Sequence, residues 1–162
     1  MATLTAVNPR VISGHMETTK ILILNGQSWK KGQFLFVDTT GALKECASNA
    51  DAATGGVKYL ALNDQADPGD TTSTAEVAVI TRDLLFEGNE LDAAVTRAMI
   101  GQQAALDVTS NLVSVDVTDT GNDAVEIVDL GWVYEPNMNK STDVKGRLSF
   151  RVMTTNIEAA PV

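Results

Sequence analysis

The sequence predicts a mainly β protein, a small β-barrel or β-sandwich that could consist of two similar β-units, with one short α-helix and an extended N-terminal arm. Three observations lead to this prediction. Short runs of β-branched and aromatic residues recur along the chain, and several end at glycine or asparagine turns. Only one stretch, about 90–100, spaces its apolar residues as a helix does. A glycine–glutamine pair followed by an apolar run occurs twice, at 32–37 and at 101–106.

Composition and charge exclude several classes of protein. The 162 residues suffice for one domain with a hydrophobic core, or for two small lobes that share one. Apolar runs such as Ile21–Leu24 are far shorter than the roughly 20 residues of a membrane-spanning helix, and the N-terminus lacks the apolar core of a signal peptide. The net charge is −9 and the 12 basic residues are scattered. We therefore expect a cytoplasmic site of assembly, no membrane and no nucleic-acid partner.

The sequence of residues 1–19 predicts an extended arm. Pro9 and Gly14 interrupt this segment, and a short strand is expected only near Arg10–Ile12. The single histidine, His15, lies here among polar and small residues. A histidine in such surroundings is usually a solvated loop residue, so we predict no Ser-His-Asp or Cys-His site.

The body of the protein is predicted at 20–155, with one β-unit at about 20–88. Its expected strands lie at 20–24, 33–38, 42–46, 57–63 and 75–85, with polar loops at 48–56 and 64–74. In the second strand, Phe34 and Phe36 share one face while Leu35 and Val37 share the other. Because both faces are apolar, either a second sheet or a neighbouring subunit should cover them. Phe34, Leu35 and Phe36 are therefore candidate interface residues.

The helix is predicted at about 90–100, between the two units. Asn89 can cap it, with Asp92 three residues further on, and Gly101 ends it. Its apolar stripe consists of Leu91, Ala94, Val95, Ala98 and Met99. The second unit, 101–155, should have strands at 104–108, 112–117, 124–130 and 145–155, and residues 156–162 should form a loose tail.

A weak internal repeat appears when the sequence is shifted by 69 residues. Gly32-Gln33 falls on Gly101-Gln102, Asp38 on Asp107, Thr40 on Thr109 and Leu43 on Leu112. Each copy contains an apolar strand, an aspartate, a turn and a returning strand. Two explanations stay open at this point, which are duplication and the shared sequence preferences of β-hairpins.

The sequence contains no recognisable catalytic, cofactor or metal motif. Cys46 is the only cysteine, so there is neither an internal disulfide nor a cysteine-based zinc site. The acidic run Asp116–Asp123 has a glycine at the sixth position of a calcium loop, but threonines stand at the third and fifth and an isoleucine at the twelfth. A plain hairpin turn is the better interpretation. We expect no catalytic residue, no metal and no cofactor.

The aromatic residues offer further candidates for an interface. Trp29 lies at a predicted loop tip beside Lys30 and Lys31, and Trp132 and Tyr134 share one face if their segment is extended. Aromatic residues on loops and at strand ends are favoured at protein interfaces. The alternatives are local packing for Trp29 and a core or barrel-capping position for Trp132 and Tyr134.

The chain resembles bacteriophage capsid decoration proteins, also called head cement proteins. The resemblance lies in the GQFLFVDTTGAL unit at 32–43, the small-residue loop SNADAATGG before VKYLALN, the Pro-Gly loop after it, and the second glycine–glutamine unit at Gly101. It implies a homotrimer on the outer surface of a virion, bound to the major capsid protein of an HK97-type shell and bridging its subunits. Residues 1–19 would suit the extended arm that many such proteins use.

Three other classes stay open from the sequence. A phage tail-tube or other virion subunit shares the β-rich acidic composition. An all-β trimeric enzyme such as a dUTPase-like hydrolase fits the size, but the aspartate-tyrosine motif and glycine-rich tail of that family are absent. A free-standing ligand-binding barrel also fits, although no pocket residue can be named.

Overall fold

The computed structural model describes residues 5–130 and 144–158, and this part of the chain is mainly β as predicted. The strands are β1 (Arg10–Ser13), β2 (Thr18–Leu22), β3 (Phe34–Val37), β4 (Leu43–Glu45), β5 (Tyr59–Ala61), β6 (Thr74–Val79), β7 (Leu85–Asn89), β8 (Gln103–Thr109), β9 (Leu112–Asp116), β10 (Val125–Leu130) and β11 (Arg147–Val152). The helices are α1 (Asn49–Ala53) and α2 (Thr154–Glu158), with a 3-10 turn at Arg97–Met99.

The strands form two antiparallel sheets that pack on each other. The six-stranded sheet has the order β1-β7-β11-β10-β8-β9, and the five-stranded sheet has the order β2-β6-β5-β3-β4. Neither sheet closes into a complete barrel, so the architecture is a sandwich.

The two units predicted from the sequence have the same strand order. In the first unit, β2 to β6, it is β2-β6-β5-β3-β4, and in the second, β7 to β11, it is β7-β11-β10-β8-β9. In each unit a parallel bridge joins the residue after the first strand to the third strand, Ile23 to Leu43 and Glu90 to Val115. β1 alone has no counterpart, because it precedes both units.

The glycine–glutamine part of the sequence repeat is also a repeat of structure. Gly32 and Gly101 have φ angles of 85° and 84°. The N–H groups of Gln33 and Gln102 then donate to the carbonyl three residues earlier, at 3.1 Å and 3.0 Å. Both pairs therefore form the same turn into the second strand of their unit.

The later matches of the sequence repeat do not coincide in space. Val37 pairs with Leu43 in the first unit, whereas Leu106 pairs with Val115 in the second. The β8–β9 hairpin is therefore longer than the β3–β4 hairpin. Leu112 lies within its extension, and the structural counterpart of Leu43 is Val115.

The described part of the N-terminal arm is extended, as predicted, but it lies along the body. β1 pairs with β7 at the edge of the six-stranded sheet. Asn8 Nδ2 donates to the carbonyls of Lys31 at 3.1 Å and Asn111 at 3.0 Å, and its Oδ1 accepts from the N–H of Val113 at 2.8 Å. Lys31 belongs to the first unit and the other two residues to the second. One side chain thus ties the arm to both units.

The helix predicted at about 90–100 is wrong in its position and extent. Glu90 and Ala94 form isolated bridges to Val115 and Val144, and only the 3-10 turn at Arg97–Met99 is helical there. The carboxylate of Glu90 accepts from the N–H of Asp92 at 2.7 Å, which holds the chain in a turn. The apolar spacing reflects separate contacts with the core rather than one helical stripe.

Short helices instead lie where a loop and a strand end were predicted. α1 occupies the small-residue loop 48–56, where Ser48 Oγ accepts from the N–H of Asp51 at 3.1 Å as an N-cap. β11 ends at Val152, and α2 begins at Thr154 rather than after a strand that reaches 155. The start of the predicted loose tail, 156–158, therefore belongs to a helix.

The main core lies between the two units. Phe34 of the first unit meets Phe86 of the second edge to face, with ring centroids 5.5 Å apart, and Phe86 stacks on Phe150 at 5.6 Å. A second, smaller cluster fills the interior of the first unit. Its buried members are Ile23, Trp29, Leu35, Leu43, Ala61 and Val77.

Candidate interaction surface

The apolar strand β3 is covered on both faces by the chain itself. Phe34, Leu35 and Phe36 are each 0% exposed. Phe34 and Phe36 belong to the core between the units, while Leu35 points into the first unit. The second sheet covers the face with Phe34 and Phe36, other residues of the first unit cover Leu35, and none of the three is on the surface of the single chain.

Trp29 also packs inside rather than at a loop tip. It is 3% exposed, and its backbone exchanges two hydrogen bonds with Gln65, each of 2.9 Å. Beside it, Lys30 Nζ lies 3.4 Å from Asp64 Oδ2. The alternative of local packing thus describes Trp29. The other aromatic candidates, Trp132 and Tyr134, lie outside the described residues.

The lone cysteine and the lone histidine do not meet. Cys46 is buried, and burial raises the pKa of its thiol to about 12, so the nucleophilic thiolate is disfavoured at neutral pH. His15 is exposed in the connection between β1 and β2. No nucleophile–base pair involving these two residues is formed.

The acidic run Asp116–Asp123 uses its oxygens to hold its own loop. Asp116 Oδ1 accepts from the N–H and the hydroxyl of Thr118, at 2.8 Å and 2.7 Å. Hydrogen bonds from Asn122 and Gly121 lower the pKa of Asp119. Within residues 5–130 and 144–158, no group of three or more His, Cys, Asp or Glu side chains could hold a metal ion.

This acidic loop is not the plain hairpin that the sequence suggested. It joins β9 to β10, and β8 lies between those two strands in the sheet. Its counterpart in the first unit is the loop with α1, which likewise crosses over β3. The two crossover loops touch, because Asn49 Nδ2 donates to Asp119 Oδ2 at 2.8 Å.

A buried carboxylate anchors the arm strand. Glu87 is 2% exposed, and its two oxygens lie 3.6 Å from Arg10 Nη2 and 3.5 Å from Arg147 Nη1. The three residues lie on β7, β1 and β11. This arrangement neutralises a charge that would otherwise be costly to bury, and it ties β1 to the second unit.

Glu90 is the second buried acid, at the bridge that joins β7 to β9. It is 0% exposed, and its Oε2 accepts from the N–H groups of Asp92 and Ala93. Oε1 has no hydrogen-bond partner among the described residues. Burial raises the pKa of this carboxyl to about 7.

Two surface clefts and a strand edge are available to a partner. A cleft of about 220 Å³ lies between β1 and the end of β5, and the exposed Met16 lines it. Another of about 240 Å³ lies beside the end of β2, where Leu22 is 46% exposed. β2 is an edge strand of its sheet. The sequence identified β2 as a strand but could not show that it lies at an edge, because that depends on the pairing of distant segments.

Comparison of the chain with protein-family models, curated proteins and solved structures gave no match. None of the helices in the described ranges is long and apolar enough to cross a membrane.

Proposed function

We propose that the chain is a structural virion protein that binds the outer surface of a phage capsid and bridges subunits of an HK97-type major capsid protein. The likeness to decoration proteins in the segment 32–43 supports the capsid as the partner. In this proposal the chain acts as a homotrimer, without cofactor and without catalysis.

One observation carries the proposal: a strand edge and several large apolar side chains are exposed, while the acids of the crossover loop and the buried acids are held by the chain itself. Asp116 and Asp119 hold a loop, while Glu87 and Glu90 are buried. Exposed large apolar residues occur at Val7, Met16, Leu22 and Ile100. The uncovered edge of β2, with Leu22 exposed at its end, suits association with another protein.

The mechanism in this proposal is mass action. A protein that binds only the expanded shell stabilises that state by its free energy of binding. Three contacts made by one trimer reinforce each other, because the first contact raises the effective concentration of the others.

The test is to tag the chain in its native host and to purify capsid-sized particles with it. We expect the tag in intact particles, and cryo-electron microscopy should place its density on the outer shell in threefold clusters. Density in the tail would support the alternative of a tail-tube or other virion subunit. The open edge of β2 could also form contacts between subunits of that kind. Absence from every particle would overturn both.

A further inference from the structure

β1 covers an edge of the second unit that has an uncovered counterpart in the first. β1 pairs with β7, with Arg10 opposite Glu87 and Ser13 opposite Leu85. The strand that corresponds to β7 in the first unit is β2, which pairs with β6 and ends its sheet.

The bridge residues fix the correspondence between the two edges. Ile23 and Glu90 are each the first residue after the strand and each forms the parallel bridge of its unit. Counting back along both strands, Lys20 corresponds to Glu87 and Leu22 corresponds to Asn89. The residue that faces Arg10 in the second unit is thus a lysine in the first.

The backbone of β2 presents unused hydrogen-bonding groups at this edge. The carbonyl of Glu17 accepts from Val79 at 2.8 Å, and the N–H of Ile23 donates to Ser73 at 2.9 Å, so odd-numbered residues bond toward β6. The N–H and C=O groups of Thr18 and Lys20 therefore point outward, whereas the C=O of Leu22 points toward β4 at the bridge between Ile23 and Leu43. No strand of the described residues pairs with Thr18 and Lys20 on this side, which leaves an open edge.

The arm also fills a gap in the second unit that is an open cleft in the first. Beside β7, the N–H of Val7 donates to Asn89 Oδ1 at 2.9 Å, and Asn8 bonds to Asn111 and Val113 of the β8–β9 hairpin. The corresponding cleft of about 240 Å³ lies between the end of β2 and the β3–β4 hairpin. Its lining is Leu22, Ile23, Leu24, Asn25, Thr40, Ala42 and Thr71.

The charge of Lys20 and the exposed side chain of Leu22 indicate which residues a strand that pairs with the edge of β2 would carry. In the second unit, Glu87 lies between Arg10 and Arg147. Lys20, at the position of Glu87, is exposed, so an acid on the incoming strand would repeat the Arg10–Glu87 pair with the signs reversed. Val7 precedes Arg10 by three positions and lies beside Asn89, whose counterpart Leu22 is exposed.

We propose that the edge of β2 binds an extended segment of a different protein chain, in which an apolar residue precedes an acidic residue by three positions. The apolar side chain covers Leu22, the acid faces Lys20, and the backbone adds a strand to the five-stranded sheet. The arm of a second copy does not fit, because its Arg10 would face Lys20. The inference is independent of the proposed function, since it names the chemistry of the segment and not its source.

The test uses two synthetic peptides and the purified full chain. TAVNPEVIS is the sequence of residues 5–13 with glutamate in place of Arg10, and TAVNPRVIS is the unaltered arm. We expect TAVNPEVIS to shift the amide NMR signals of residues 18–24 and to bind about tenfold more tightly than TAVNPRVIS. Lys20→Glu should reverse this preference, and Arg82→Glu, an exposed charge change elsewhere, should leave it unchanged.

The remaining outcomes overturn the proposal. If neither peptide shifts residues 18–24 at millimolar concentration, or if both bind β2 equally, the edge does not select an acidic strand. Preference of wild-type β2 for TAVNPRVIS would assign the site to the arm of a second copy instead. Circular dichroism and thermal unfolding of Lys20→Glu establish that the variant is folded; its side chain is exposed, so we expect little change in stability.

Discussion

Ile23 and Glu90 occupy the same position in two β-units of identical strand order, yet one side chain is aliphatic and the other is a carboxylic acid. Each is buried and each forms the parallel bridge to the third strand of its unit. In the first unit, the side chain at this position packs among apolar residues. In the second unit, the side chain at this position is a carboxyl group that accepts hydrogen bonds from the N–H groups of Asp92 and Ala93.

Glu90 should make the stability of the protein depend on pH near neutrality. Its pKa is raised from 4.5 to about 7 in the folded chain, mainly by burial, so folding favours the protonated form. This contribution is fully present below pH 4.5 and is lost as the pH rises through about 7. We expect the free energy of unfolding to fall by about 2 kcal/mol between pH 5 and pH 8 from this residue.

Urea denaturation of Glu90→Gln at both pH values measures the effect. The variant keeps an acceptor for the backbone N–H groups but does not titrate, so its stability should change less between pH 5 and pH 8 than that of the wild type. Glu126→Gln, an exposed change, is the control. Identical pH dependence in the wild type and Glu90→Gln would contradict the assignment.

Alanine variants of the two corresponding glycines can separate two contributions to stability, one from the backbone conformation and one from the contact with the arm. Gly32 and Gly101 share φ angles near 85°, so alanine at either position should lose about 1–2 kcal/mol of stability. At Gly32 a Cβ would also lie 2.7 Å from Asn8 Cβ and 2.8 Å from the Pro9 carbonyl oxygen, whereas nothing lies within 4 Å at Gly101. Gly32→Ala should therefore lower the urea midpoint more than Gly101→Ala. Equal midpoints would mean that the arm moves aside at no cost.

The sequence predicted local structure and the repeat better than it predicted exposure. Alternation and turn residues placed most strands, and the pair Gly32-Gln33 marked a turn that recurs at Gly101 because both need the left-handed backbone. The helix at 90–100 was mispredicted because periodicity cannot distinguish a helical stripe from a bent segment that contacts the core at several points. Phe34 looked like an interface residue because an apolar face does not reveal whether a distant part of the chain or another subunit covers it.

Glu87 should be the ionic group whose loss costs most among those described here. Glu87→Gln removes this buried charge and leaves the guanidinium of Arg147, 18% exposed, without it, which we expect to cost about 1–3 kcal/mol. The contrasting pair is Lys30 and Asp64, whose side chains are 58% and 63% exposed, so Lys30→Ala should cost about 1 kcal/mol or less. Thermal unfolding of Glu87→Gln and Lys30→Ala makes the comparison. A smaller loss for Glu87→Gln would show that the arginines move to solvent.

Asn8 should control whether the arm stays docked on the body. Its side chain makes three hydrogen bonds that join the arm to both units, and Asn8→Ala would leave the buried N–H of Val113 without its acceptor. We expect a loss of about 1–3 kcal/mol and faster hydrogen exchange at Val113 and along β1, with little change at β5 in the middle of the other sheet. Asn25→Ala, at an exposed turn, is the matched control. Unchanged exchange along β1 would mean that its pairing with β7 and the contact between Arg10 and Glu87 hold the arm without Asn8.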